Sequence, residues 1–388
     1  MKKNIEAFAR YHQVKESLAE YTQIGMAGIQ LLRLNVSVPN GARLLGGFVD
    51  ACDIAHWSEA RTFPDPVGKV SQIGDMLCHH VIVQQVAAFD LFTRAVVSDL
   101  ARFSGWARSS RSELSHSHAL SVLSTQGRWV VSPCCYELEN KVGDLINRLS
   151  DLEHLIGWTP SKKLRSITPL FHLARMCRNR IVHSDGLVGS ELSEYCQSEE
   201  VRGALTEYRK HYSRADLPQL PHWQRGHALR LAPTNSIFFG AVLYEFAKEI
   251  NAYVCSKLTQ KEYVEMAFFY SCLVETHQAR TIKHRDAGAR IAHFLASRYL
   301  FSETSSIGEI SAHLKERALG KKGKSEVETT LWKIALERHE ALHLQESTKT
   351  SDQEVPTHVL PKTTVNPIAG KRGASKRAAS RGRRLPSR

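Results

Sequence analysis

Apolar residues recur along most of this chain at alternating steps of three and four, which restricts it to packed helices. From Ile82 the positions Ile82, Val86, Phe89, Val96, Leu100 and Phe103 form one stripe, with Thr93 in register. A second stripe runs through Val142, Leu145, Leu149, Leu152 and Ile156. A third helix opens at Thr168-Pro169, a capping residue followed by a first-turn proline. It carries Leu170, Ala174, Cys177 and Ile181 on one face and stops at Gly186. A fourth long helix holds Phe239, Leu243, Phe246, Ile250 and Tyr253, and shorter ones follow over about 261–275, 284–300, 306–318 and 325–343.

Between these segments the signals weaken. The opening residues start as a helix, but "LLRLNVSVPNGARLLGGF" reads as a break or a short hairpin. Residues 199–233, with Pro218, Pro221 and Pro233, read as irregular. Past Ser347 the apolar period is lost and the chain is expected to be disordered. The expected fold class is all-α, in four regions: 1–71, helical and irregular; 72–258, the main helical domain; 259–345, further helices; and 346–388, a tail.

Charge is concentrated in that tail. From Lys362 to Arg388 there are nine basic residues and no acid; taking these nine from the net +13 leaves about +4 on the rest. Lys371, Arg372, Lys376 and Arg377 head the densest part, a composition that attracts nucleic acid without reading its sequence. Neither of its two most apolar stretches approaches the ~20 apolar residues of a membrane span. The two most apolar, "SIFFGAVLYEF" and "VEMAFFYSCLV", contain Glu245 and Glu265. The start has no apolar leader segment, and the eight cysteines show no C-x-x-C pair or zinc spacing. Cytoplasmic location, no membrane partner, no metal and no cofactor are the expectations.

The third helix ends in the stretch with most chemistry, "RMCRNRIVHSDG", residues 175–186. Loose arginine–histidine spacing is common here, since Arg148–His154 and Arg338–His343 share it. Arg178–His183 differs in context: Asn179 follows the arginine, Ile181-Val182 precede the histidine, and Ser-Asp-Gly closes the helix. A helix C-terminus favours cations, which accounts for Arg178, Arg180 and His183 but not for asparagine in mid-helix. Histidine exchanges protons near neutrality, and arginine offers phosphate a permanently charged planar fork. Asn179 and His183, four apart, share a face; Arg178 and His183 lie about 140° apart on an ideal helix, so the arginine must wrap to meet the ring.

This "RNRIVHSDG" after the long "VIVQQVAAFDLFTRAVVSDLARF" helix resembles the HEPN superfamily of helical ribonucleases and toxins, over residues 72–258. The resemblance implies a metal-independent endoribonuclease using Arg178, Asn179 and His183, with two copies building one site. It also implies a role as a toxin or defence effector against phage, restrained by a partner protein or an activating signal. Asp90 falls where members often carry an acid on the long helix, and would orient His183 or an arginine. Arg175, Arg180 and the tail would hold the RNA backbone. The competing expectation is a non-catalytic nucleic-acid-binding or assembly protein, for which "SIGEISAHLKERALGKKGKSEVETTLWKIAL" offers two short helices about a Gly-Lys turn.

Overall fold

A computed structural model describes residues 3–50, 63–110, 120–121, 130–131, 147–212, 217–268, 270–271, 287–301 and 307–314. The chain divides into two units, Met1–Arg338 and His339–Arg388, and every described residue belongs to the first. Val142, Leu145, the helix expected over 325–343, most of the Gly-Lys helical pair and the basic tail lie outside the described residues.

Helices dominate, as the periodicity predicts. In chain order they are α1 (Glu6–Val36), α2 (Gly41–Asp50), α3 (Pro66–Phe103), α4 (Gly105–Ser110), α5 (Arg148–Ile156) and α6 (Lys162–Ser166). Then come α7 (Thr168–His183), α8 (Ser190–Cys196), α9 (Glu199–Tyr212), α10 (Pro233–Cys255), α11 (Gln260–Phe268), α12 (Ala287–Arg298) and α13 (Ile307–Leu314). Among the described residues the strand pairing is confined to a two-residue antiparallel match, Leu120–Ser121 with Val130–Val131, and an isolated bridge between Leu187 and Ala228.

The long helix begins well before its apolar stripe. Asp65 caps it by accepting from the Gly68 N–H at 2.9 Å, and Pro66 stands in the first turn. α1 returns antiparallel along it: Gly25 lies against Leu77 and Gly74 against Ile29, glycines that let the two backbones approach. α1 ends where the sequence offered a break or a hairpin. A turn closed by Gly41 N–H on the Val38 carbonyl (2.9 Å) separates it from α2.

The core lies between α3, α7 and α10. Phe89 meets Phe171 at 5.5 Å between ring centres, and Phe171 meets Phe246 at 5.3 Å. One expectation is corrected: residues 199–212 are helix α9 rather than irregular chain. Val201, Ala204 and Tyr208 form its buried stripe, with two acids in its first turn and three basic residues in its last. The three prolines all lie beyond it and govern only the segment from Pro218.

The start of α1 lacks a side-chain cap of its own. Its orphan N–H groups are met from afar: Ile5 N–H donates to Asn251 Oδ1 (3.0 Å) and Ala7 N–H to Asp99 Oδ2 (3.2 Å). Glu6, buried, accepts from Arg10 and from two nitrogens of Arg298, each at 2.7 Å. Replacing Asn251 with alanine strands the Ile5 N–H and removes one of the two donors to the Lys3 carbonyl (2.9 Å), leaving the Cys255 thiol (3.3 Å). The expected loss, read by urea unfolding, is about 1–3 kcal/mol, with amide exchange rising first at residues 4–8.

Candidate functional site

α7 separates into two faces. Leu170, Phe171, Leu173, Ala174 and Cys177 are buried, and Ile181 packs against the same core. The opposite side carries Arg175, Arg178, Asn179, Val182 and His183, with Val182 and His183 exposed. The helix stops because Asp185 and Gly186 take positive φ, 48° and 72°, after which Gly186 N–H returns to the Arg180 carbonyl at 3.0 Å.

That turn is fastened on two sides. Residues 186–188 pair with 226–229: Val188 N–H donates to the His227 carbonyl (2.9 Å), Gly226 N–H to the Val188 carbonyl (2.9 Å) and Leu229 N–H to the Gly186 carbonyl (2.6 Å). From α3, His79 Nε2 lies 2.6 Å from the Leu229 carbonyl oxygen. A carbonyl only accepts, so this ring carries its proton on Nε2. A side-chain carbon on Gly186 would stand 3.5 Å from the same imidazole.

On this fixed end the arginine does wrap. Arg178 Nη1 donates to Asn179 Oδ1 at 3.0 Å and makes a longer contact, 3.4 Å, with His183 Nε2. Guanidinium has no acceptor, so Nε2 of His183 accepts in this contact and the ring proton resides on Nδ1. The hydrogen-bonded order is therefore Asn179–Arg178–His183: the amide positions the arginine, and the arginine touches the ring. Arg178 Nε is buried without a partner among the described residues, so an incoming anion would meet the guanidinium through its terminal nitrogens.

The other expected residues are placed as follows. Arg175 shares the open face, two turns from the helix end, with its Nε unpartnered among the described residues. Beside it, burial first and the Arg175 charge second hold the His172 imidazole below its ordinary value of 6.5. Arg180 turns away; its guanidinium covers Gly189 and lies 3.9 Å from Glu191 at the start of α8. Lys371, Arg372, Lys376 and Arg377 lie outside the described residues.

Asp90 is not brought to the motif. It accepts from Arg94 at 3.1 Å and from Arg148 of α5, whose guanidinium is buried. Its neighbour Phe89 packs on Phe171, twelve residues before His183, which is about 18 Å of helical rise. The carboxylate thus compensates a buried cation at the other end of α7. Arg148 was visible only as the odd member of the series Arg148, Leu152, Leu155 on the buried side of α5.

Among the described residues no three His, Cys, Asp or Glu side chains group as a metal site. Cys177 and Cys196 are buried thiols whose pKa burial pushes upward, which keeps them protonated and inert. No family model, curated protein or solved structure matches this chain.

Asp90→Ala is expected to lower stability by about 3 kcal/mol, because it leaves the buried Arg148 without its carboxylate. Thermal unfolding reads that loss. In protein that remains folded, the Arg178–His183 contact should be unaffected, seen as unchanged His183 imidazole resonances.

Proposed function

We propose that this chain is a metal-independent endoribonuclease of HEPN type, cutting RNA by attack of a 2′-hydroxyl on the adjacent phosphate. The observation that carries the reading is the Asn179–Arg178–His183 chain on an open helix face, ending at a pinned turn. His183 Nε2, carrying no proton in this arrangement, is suited to take the proton of the attacking hydroxyl once the phosphate draws the Arg178 fork off the ring. The fork of Arg178 faces the charge that develops on the phosphoryl oxygens. Asn179 has no proton to give; it holds the fork in place.

The reaction also needs a proton donor at the leaving 5′-oxygen, and one motif supplies one histidine. The reading therefore calls for two copies of the chain with their motifs facing one cleft. Arg175 lies where the RNA backbone would pass, whereas Arg180, engaged near Glu191, is the weaker contact. Affinity should fall steeply with salt. On this reading the chain is a cytoplasmic toxin or antiviral effector held in check by a partner protein or a trigger.

α3 is long and apolar enough to cross a membrane by length and composition, but 56% of that window is packed inside the fold. Its apolar surface serves the core and the surface discussed below.

His183→Ala and Arg178→Ala should each reduce cleavage of total RNA in EDTA by at least about 100-fold, with helicity unchanged. Cleavage by His183→Ala at the wild-type rate would remove this mechanism.

A further inference from the structure

We infer that the free flank of the α1–α3 pair is where a second copy of this chain docks, a proposal that rests on the ribonuclease reading for its purpose but not for its evidence. On α1 the exposed residues Val14, Tyr21, Ile24 and Leu31 follow one another at helical spacing along one side. On α3 Ile73, Met76 and Leu91 do the same, with half-buried Val83 and Ala87 between them. Ring contact between Tyr21 and His80, 6.0 Å between centres, places the two series on the same side of the pair. Ile24 is 73% and Met76 69% exposed, values unusual for such side chains unless something covers them.

The occupant follows from shape, size and position. Two antiparallel helices offering apolar residues every three or four positions suit another helical pair, giving a four-helix seam. Seven such side chains expose on the order of 100 Å² each, close to the ~800 Å² that each partner contributes to a standard interface. Ser17, Gly28 and His80 complete this flank; its ends carry Lys69, Arg94 paired with Asp90 at 3.1 Å, and Arg10 paired with Glu6 at 2.7 Å. Glu16 and Glu20 border it, Glu16 paired with Lys15 at 2.6 Å.

The flank also adjoins the motif. His79, one residue from His80, is the side chain that fastens the turn after α7, where Val182 and Leu187 are also exposed. A two-fold axis running across the three helices stacks α1 on α1, α3 on α3 and α7 on α7. Each copy then offers its His183 to a cleft shared with the other.

The test is sedimentation of the full chain at micromolar concentration, beside the double variant Ile24→Glu/Met76→Glu. Both positions are exposed, so the variant should fold with the wild-type helicity. The expected result is a wild-type dimer and a monomeric variant, dissociation strengthened at least about 100-fold by like charges repeated across the axis. A monomeric wild type overturns the proposal, as does a dimer that survives both substitutions. Wild-type protein that floats with phosphatidylcholine–phosphatidylglycerol vesicles, and a variant that does not, overturns it in favour of lipid. Dimer loss in the variant with no RNA cleavage by either protein supports the interface and strikes only the ribonuclease reading. A monomeric variant that cuts at the wild-type rate refutes the shared cleft.

Discussion

Phe89, near the middle of α3, packs against Tyr11 of α1 at 6.1 Å and against Phe171 of α7 at 5.5 Å. Phe171 continues to Phe246 of α10, and Tyr11 to Phe92 and Tyr244. This run of rings binds four helices to one axis, and each ring removes a large apolar area from water. The consequence for α3 is directional. It gives one side to α1 and another to α7 and α10, and among the described residues the third stays open. Where α7 ends, and what faces the solvent beside it, follows from that division.

The motif depends on the same arrangement through its last turn. A free helix end would fray, and Arg178 and His183 would separate. Here the left-handed residues Asp185 and Gly186 turn the chain back, the 226–229 segment hydrogen-bonds it, and His79 reaches across from α3. Proton transfer needs groups held within hydrogen-bond distance. On the proposed reading, the pinned turn would provide that constancy on the exposed face of α7.

Much of this was legible in the sequence, for reasons that mark where it stops. The apolar period located α3, α7 and α10, since burial on one side leaves a 3.6-residue trace. It missed α9 because nearby prolines outweighed a short stripe at Val201, Ala204 and Tyr208. It placed Arg178, Asn179 and His183 on one helix end, but the ideal 140° between arginine and histidine gave no assurance of contact. Side-chain length closes that gap. Asp90 failed to reach the motif because its partner, Arg148, comes from another helix, and pairings over that sequence distance leave no local pattern. The two apolar series of α3 were likewise inseparable in sequence; only packing distinguishes Phe89, which is covered, from Met76, which is not.

The central claim is that RNA is cut by its own 2′-hydroxyl through the Arg178–His183 pair. Its most direct test is the chemistry of the ends, read by mass spectrometry on a short defined RNA incubated with the protein in chelator. The account predicts a 2′,3′-cyclic phosphate on one fragment and a 5′-hydroxyl on the other, with a substrate lacking the 2′-hydroxyl left whole. Fragments bearing 3′-hydroxyl and 5′-phosphate ends would contradict it.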